Sequence, residues 1–274
     1  MKLFRKNKAD ESNSVPLQGI GVIELTVPRG YSEMTENQLR YVAALQVSGQ
    51  TEESIRTKCF IRFAGIKPVA HLGETYYFIR PKFKGTFSLK AEEVAYFSKK
   101  MDWITKNYIG ITPIQKIGRY QAVDRIFRDI TFAQYLDSEN YYQAFIFTKK
   151  EQYLHKLMAT LYLTGKKYDN SLTDKRAKYF TRHASEVEKI ATIMWIMGVK
   201  EYFSIKFNHL FSGTSAGVGG DEKAPDMFEI INNQVRALTD GDITKREKVL
   251  QSNTWDALKE LNEKAKEAKN LTKK

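Results

Sequence analysis

The residues best suited to chemistry in this chain are four histidines and a single cysteine. His71, His155, His183 and His209 lie in separate segments, and none belongs to an HExxH motif or another pair with metal-ligand spacing. Glu151 and His155 could share a helix face at i, i+4 spacing, but such a pair is far more often a surface contact than a metal site. We therefore expect no metal site.

Other catalytic patterns are also missing from the sequence. Cys59 lies on the apolar face of its segment beside Phe60 and Phe63, which predicts a small buried hydrophobe rather than an exposed nucleophile. Gly219-Gly220 is followed by Asp-Glu-Lys instead of the GK[ST] of a phosphate-binding loop, and those carboxylates would repel phosphate. With no nucleophile elbow or kinase motif either, the sequence predicts a protein that is not an enzyme.

The net charge of +12 is the stronger chemical signal. One stretch interleaves cations with aromatic residues, so that a β-hairpin would place the two types on opposite faces. We predict possible polyanion contacts there at Arg80, Lys82, Lys84 and Lys90. Further basic residues gather in 116–128 and 166–182. No helix-turn-helix, zinc-finger, RNP or KH signature accompanies them. A solvated basic surface is therefore the favoured interpretation, and nucleic-acid binding is the alternative.

Several segments in the first half of the chain could position these residues. The polar stretch 1–16 predicts a flexible basic arm, and the β-branched run 20–27 predicts a strand. Thr35-Glu-Asn-Gln38 has the spacing of a capping box, and a second helix is expected to start after Thr51. The aromatic runs within 75–90 predict a β-hairpin.

The second half is predicted to be almost entirely helical from Thr131 onward. Residues 188–210 are apolar nearly all round and indicate a central buried helix. Residues 212–225 have the glycine-rich composition of a linker. Beyond them, apolar stripes predict a small helical unit with a frayed end, in which Thr244-Lys-Arg-Glu247 has capping-box spacing.

These segments define a mainly α, α+β protein. We predict an arm at 1–16, a mostly helical core at 17–211 with an N-terminal strand and a β-hairpin, a linker at 212–225 and a C-terminal helical unit at 226–274. The longest apolar run, Ile190 to Val199, has ten residues, and a bilayer-spanning helix needs about 20. The start of the chain has no apolar signal region. We therefore expect a soluble intracellular protein.

Four regions of the sequence form a recognisable pattern of helical segments with recurring aromatic residues. These are MTENQLRYVAALQ (34–46) leading into TKCFIRFAGIK (57–67), RDITFAQYLDSENYYQAF (128–145), IMWIMGVKEYFSIKFNHLF (193–211) and VRALTDGDITKREKVLQSNTWDALKELNEKA (235–265). Their layout resembles that of proteins encoded among the tail genes of tailed phages and prophages, which we associate with tail-assembly chaperones. The resemblance implies a protein without catalytic residues or cofactor, acting in the cytoplasm of the bacterial host cell.

The same resemblance implies phage tail proteins as partners, namely the tape-measure protein and the major tail protein. We expect an amphipathic helix of the tape-measure protein to bind apolar helix faces of the C-terminal unit. The predicted contact residues are Phe228, Ile231, Val235, Trp255 and Leu258, although the pattern favours packing inside the unit for each of them. A structural tail or head-completion protein and a nucleic-acid-associated protein are the alternatives, and the oligomeric state is left open.

Overall fold

A computed structural model describes five stretches of the chain, residues 13–16, 22–81, 85–165, 167–212 and 227–271. The chain divides into two units, one ending at Asn107 and the other beginning at Tyr108. Helices predominate, and short antiparallel sheets accompany them. The predicted mainly α, α+β class is confirmed. The boundary between the two units, after Asn107, lies inside the segment 17–211 that the sequence predicts as one core domain.

Two helices in the first unit begin where capping residues predict them. Helix α1 (Glu36–Val47) starts after Thr35, whose hydroxyl accepts from the Gln38 backbone N–H at 3.3 Å. The Gln38 side chain in turn accepts from the Thr35 backbone N–H at 2.8 Å, so the predicted capping box is confirmed. Helix α2 (Glu52–Phe63) follows a turn in which Gly49 has a φ of 65°, a conformation that favours glycine.

A three-stranded antiparallel sheet follows these helices. Its strands are β3 (Lys67–Leu72), β4 (Thr75–Ile79) and β5 (Thr86–Lys90). The pairing of β4 with β5 confirms the predicted hairpin. Strand β3 was not predicted, because all six of its residues are exposed and show no alternation, and because Pro68 is tolerated only at such an edge. Helices α3 (Ala91–Lys99) and α4 (Trp103–Lys106) complete this unit.

Two short strands precede the helices. Strand β1 (Asn13–Pro16) pairs with β2 (Val22–Leu25), and a 3₁₀ helix spans Tyr31–Glu33. The predicted strand at 20–27 is thus found in its central part. Residues 13–16 of the predicted flexible arm form β1, and the rest of the arm lies outside the described residues.

The second unit is built around long helices and one small sheet. Its first four helices are α5 (Phe132–Thr148), α6 (Glu151–Leu161), α7 (Thr173–His183) and α8 (Glu186–Lys206). A 3₁₀ helix at Asn170–Leu172 precedes α7. The strands are β6 (Lys116–Ile117), β7 (Tyr120–Ala122) and β8 (Tyr162–Leu163), in that order in the sheet.

Helix α8 is the central buried helix that its apolar sequence predicts. Trp195 is almost fully buried, and its indole N–H donates to the Arg125 carbonyl at 2.7 Å. Gly198 allows a close approach, because a Cβ there would lie 2.1 Å from the Tyr108 carbonyl oxygen. Phe203 continues the buried face toward the end of the helix.

The last helices belong to the second unit. They are α9 (Met227–Thr239), a 3₁₀ helix (Ile243–Lys245), α10 (Arg246–Leu250) and α11 (Thr254–Leu271). Backbone hydrogen bonds fix them to the start of α5: Phe132 N–H donates to the Ser252 carbonyl at 2.9 Å, and Thr254 N–H donates to the Ile130 carbonyl at 3.1 Å. The structure thus groups these helices with α5 to α8. Of the predicted linker, only Ser212 lies within the described residues.

Candidate protein-binding groove

Trp255 anchors the C-terminal helices to the interior of the second unit. Its indole N–H donates to the Ile126 carbonyl at 2.8 Å. Its ring lies 5.7 Å from the ring of Phe203 and 5.5 Å from that of Phe207, measured between centroids. The Arg128 guanidinium covers it at 5.8 Å. Trp255 is therefore a structural anchor, half-buried in aromatic packing.

The five predicted partner contacts do not form one surface. Val235 and Leu258 are buried, so a partner cannot reach them while the helices are folded. Ile231 is half-buried, and Phe228 is 76% exposed. The predicted partner surface therefore reduces to Phe228 and Ile231, while the alternative of internal packing describes Val235, Leu258 and Trp255.

The turn between α9 and α10 depends on an aspartate rather than on the predicted capping box. The Asp242 carboxylate accepts from the Thr244 backbone N–H at 3.0 Å and from its hydroxyl at 2.6 Å. These hydrogen bonds lower the pKa of Asp242. Thr244 therefore lies inside a 3₁₀ turn and does not cap a helix. Asp242 is the residue just before this turn, and its carbonyl accepts from the Lys245 backbone N–H at 3.2 Å, which positions Lys245.

The C-terminal groove lies between this turn and the three last helices. It has a volume of about 380 Å³. Its apolar floor consists of Leu238 from α9, Val249 from α10 and Ala257 from α11, which are half-buried or buried. A floor of aliphatic side chains with an open, charged rim is typical of surfaces that accept the apolar face of an amphipathic helix.

The rim of the groove has opposite charges on its two sides. The exposed side chains of Lys245 and Lys248 contribute the basic side, and those of Asp256 and Glu260 contribute the acidic side. Asp256 and Glu260 are four residues apart on α11 and thus share one helix face. Within the described chain, neither Lys248 nor Asp256 has an ion pair. A helix with acidic side chains along one flank and basic side chains along the other would therefore match the rim in only one of its two possible directions.

The turn that contributes to the rim also exposes an apolar side chain. Ile243 begins the 3₁₀ turn that supplies Lys245 to the rim, and it is 80% exposed. Exposed aliphatic side chains beside a groove are common at protein-binding sites. No signal in the sequence placed Ile243 or Val249 at a site, because the groove exists only where four separate elements meet.

The predicted polyanion contacts of the β-hairpin are not brought together. Lys90 is exposed and pairs with Thr75 at one end of β4, whereas Arg80 follows Ile79 at the other end. Five strand residues separate the two ends by about 16 Å. Lys82 and Lys84 lie outside the described residues.

The histidine and cysteine with possible chemistry are both buried. His155 Nε2 lies 3.9 Å from the Glu151 carboxylate, which confirms the i, i+4 contact. It is not a surface contact, however, because His155 is buried and its Nδ1 lies 3.1 Å from the Thr181 hydroxyl. Burial raises the pKa of the Cys59 thiol to about 12, as expected of a buried hydrophobe. Among the described residues, no group of three acidic, histidine or cysteine side chains could hold a metal ion.

Comparisons with protein-family models, curated proteins and solved structures gave no match to this chain. Within the parts that the structure describes, no helix has the length and apolar character needed to cross a membrane.

Proposed function

We propose that this protein is a non-enzymatic phage morphogenesis protein that acts as a tail-assembly chaperone in the cytoplasm of the bacterial host cell. The C-terminal groove carries the proposal, since its aliphatic floor and charged rim suit an amphipathic helix. The tape-measure protein is the proposed source of that helix, and the major tail protein is a further partner. Both partners rest on the resemblance of the sequence to phage tail-region proteins.

The groove specifies the kind of helix it would bind. An apolar stripe would cover Leu238, Val249 and Ala257. Acidic side chains along one border of the stripe would face Lys245 and Lys248, and basic side chains along the other would face the acidic side of the rim. Complementary charges of this kind fix orientation and partner choice more than they raise affinity. The apolar floor would supply most of the affinity.

Binding to the tape-measure protein is tested first by co-expression. The soluble yield of the tape-measure protein of the same phage should rise when the full-length chain is present, and the two proteins should purify together. Unchanged solubility without co-purification would contradict the proposal. Finding the chain as a component of purified virions would favour the structural tail or head-completion alternative instead.

Charge reversal then tests the groove itself. Lys248→Glu should weaken binding of the tape-measure helix about tenfold, which corresponds to about 1.4 kcal/mol. Lys259→Glu is the matched control, because Lys259 is also exposed on the C-terminal helices but does not line the groove. Calorimetric titration of both variants measures the difference, and equal losses would exclude the groove as the site.

A double exchange tests the predicted orientation. Lys248→Glu combined with Asp256→Lys reverses the polarity of the rim while the net charge of the chain is conserved. This variant should bind the natural helix weakly and should recover binding to a synthetic helix in which the flanking charges are also exchanged. If the exchanged helix does not recover binding, the charged rim does not set the orientation.

A further inference from the structure

The exposed face of α7 carries a row of basic and aromatic side chains. Its members follow one another at i, i+3, i+4, i+7 and i+8, the spacing that places side chains on one side of a helix. They are Lys175, Lys178, Tyr179, Arg182 and His183. Arg176 and Phe180 belong to the opposite, buried face. One side of α7 thus anchors the helix and the other presents cations.

The turn between β6 and β7 packs directly against this face. Gly118 is its first central residue and has a φ of 58°, as hairpins of this length require. A Cβ at Gly118 would lie 1.9 Å from the hydroxyl oxygen of Tyr179, so only glycine permits this contact. The contact joins two basic segments that are far apart in the sequence, 116–128 and 166–182.

Arg119, the next residue of the turn, is held by aromatic rings. Its guanidinium carbon lies 5.3 Å from the ring centroid of Tyr120 and 5.7 Å from that of Tyr179. Its Nη2 donates to the Tyr120 hydroxyl at 3.2 Å. The Tyr179 ring in turn lies 4.4 Å from that of His183. Arg119 therefore adds a positioned, exposed guanidinium to the row of cations on α7.

We call this surface the basic stripe; its cations are Arg119, Lys175, Lys178 and Arg182. Throughout the described chain, no carboxylate forms an ion pair with any of the four. The nearest acidic residue on α7, Asp174, is instead paired with Lys156 at 2.9 Å. Among the described residues, no ion pair neutralises these four cations, and their positive charge would attract an anionic partner.

We propose that the basic stripe binds the phosphate backbone of nucleic acid. A guanidinium stacked on tyrosine rings presents a planar set of N–H donors that suits phosphate oxygens. Lys175 and Arg182 are separated by about 10 Å along the helix axis, a distance over which a nucleic-acid duplex carries several phosphates. The stripe also presents the Tyr179 and His183 rings among its cations, and aromatic rings beside cations suit the bases and phosphates of nucleic acid.

Salt-dependent binding of labelled oligonucleotides tests this proposal. Fluorescence anisotropy of the full-length chain with 30-nucleotide single-stranded and duplex DNA probes should show binding at 50 mM NaCl. Neutralisation of three to four phosphates predicts a slope of about −3 in log K against log salt, or about a 60-fold loss between 50 and 200 mM. Binding of either probe with this slope supports the proposal, and binding of neither probe at 50 mM overturns it.

Two sets of variants locate the binding on the stripe. Lys178→Glu combined with Arg182→Glu should weaken binding at least tenfold, because both cations lie on the exposed face of α7. Lys259→Glu combined with Lys266→Glu on α11 is the matched control, with the same change in charge, and should weaken binding less than threefold. Equal losses in the two double variants would overturn the proposal.

Two further measurements concern the chemistry of the ligand. Arg119→Lys retains the charge but removes the planar donor set, so it should weaken binding of the DNA probes about threefold to tenfold. No loss in this variant would contradict the role assigned to the stacked guanidinium. A polyglutamate peptide that binds the chain as tightly as the DNA probes, and that is lost with Lys178→Glu and Arg182→Glu, would assign the stripe to acidic proteins instead.

Discussion

The C-terminal groove and the basic stripe use charged side chains in opposite ways. The groove has lysines on one side and carboxylates on the other, around an aliphatic floor. The stripe has four cations that pair with no carboxylate among the residues that the structure describes, and one of them lies over two tyrosine rings. The distribution of charge therefore says more about partners than the net charge of +12 does. The groove suits an amphipathic helix, and the stripe suits a polyanion.

The largest expected effect concerns the support beneath the groove. Leu258 is fully buried, so Leu258→Ala should lower the free energy of unfolding by about 3 kcal/mol. Phe228→Ala, at an exposed position of the same predicted contact set, should change it by less than about 0.5 kcal/mol. Chemical denaturation measures both. Similar effects at the two positions would contradict the assignment of Leu258 to internal packing and of Phe228 to the surface.

The next largest effect should be a difference in salt dependence between the two binding surfaces. The affinity of the stripe for DNA is expected to fall about 60-fold between 50 and 200 mM NaCl, since each neutralised phosphate releases counterions. Binding of the tape-measure helix to the groove should change less than threefold, because apolar burial supplies most of its affinity. Parallel titrations with the two ligands provide the measurement. Equal salt slopes would remove the proposed difference in binding chemistry.

A smaller effect is expected when the support of the stripe is disturbed. Gly118→Ala places a methyl group against the Tyr179 hydroxyl and imposes an unfavourable positive φ on alanine. We expect a loss of about 2 kcal/mol in the free energy of unfolding, together with weaker DNA binding. Binding of the tape-measure helix by the folded fraction should be unchanged. If helix binding falls as much as DNA binding, the two surfaces are not independent.

The smallest effect should be a loss of folding stability at acidic pH. It arises at His155 of α6, which contacts Thr181 of α7. Burial and the nearby Lys189 ammonium lower the pKa of His155 below its ordinary value of 6.5, although Glu151 and Glu186 oppose the shift. The folded protein therefore binds fewer protons than the unfolded chain as the pH falls below about 6.5. The stability that neutral His155 provides is fully present at pH 7 and is lost on acidification.

Thermal unfolding of the wild type and of His155→Gln between pH 7.5 and pH 5 measures this contribution. The wild type should lose stability on acidification more steeply than the variant, because only the wild type gains a proton at this buried site. Parallel curves for the two proteins would show that His155 does not contribute. Hydrogen exchange should locate the loss at α7, where Thr181 contacts His155 Nδ1 at 3.1 Å.

Local features of the fold could be predicted from the sequence, whereas features that depend on distant residues could not. The capping box at Thr35 and the hairpin within 75–90 involve neighbours in the chain, and both are confirmed. The attachment of the C-terminal helices depends on hydrogen bonds such as that from Phe132 to Ser252. Those partners are more than a hundred residues apart, and no local pattern connects them.

The two candidate surfaces show the same limit. Leu238 belongs to an apolar stripe that the sequence revealed, but Val249 and Ala257 meet it only in the folded unit. The sequence showed that basic residues gather in 166–182, but not that several of them share one face of α7. The contact of Arg119 with Tyr179 could not be predicted from the sequence. It depends on the close approach of Gly118 to Tyr179, and a single glycine gives no sequence pattern that would reveal this approach.

Amide hydrogen exchange of the full-length chain, with and without the tape-measure protein, tests the central proposal most directly. Bound tape-measure protein should slow exchange in the segments that line the groove, namely the end of α9, the turn with α10, and the first turns of α11, and should leave α7 unchanged. At a tape-measure concentration near the wild-type Kd, Lys248→Glu should reduce this protection strongly, as a tenfold weaker affinity requires, and Lys259→Glu should retain it. Protection confined to other elements, or no protection at saturating tape-measure protein, would contradict the proposal that the groove binds this partner.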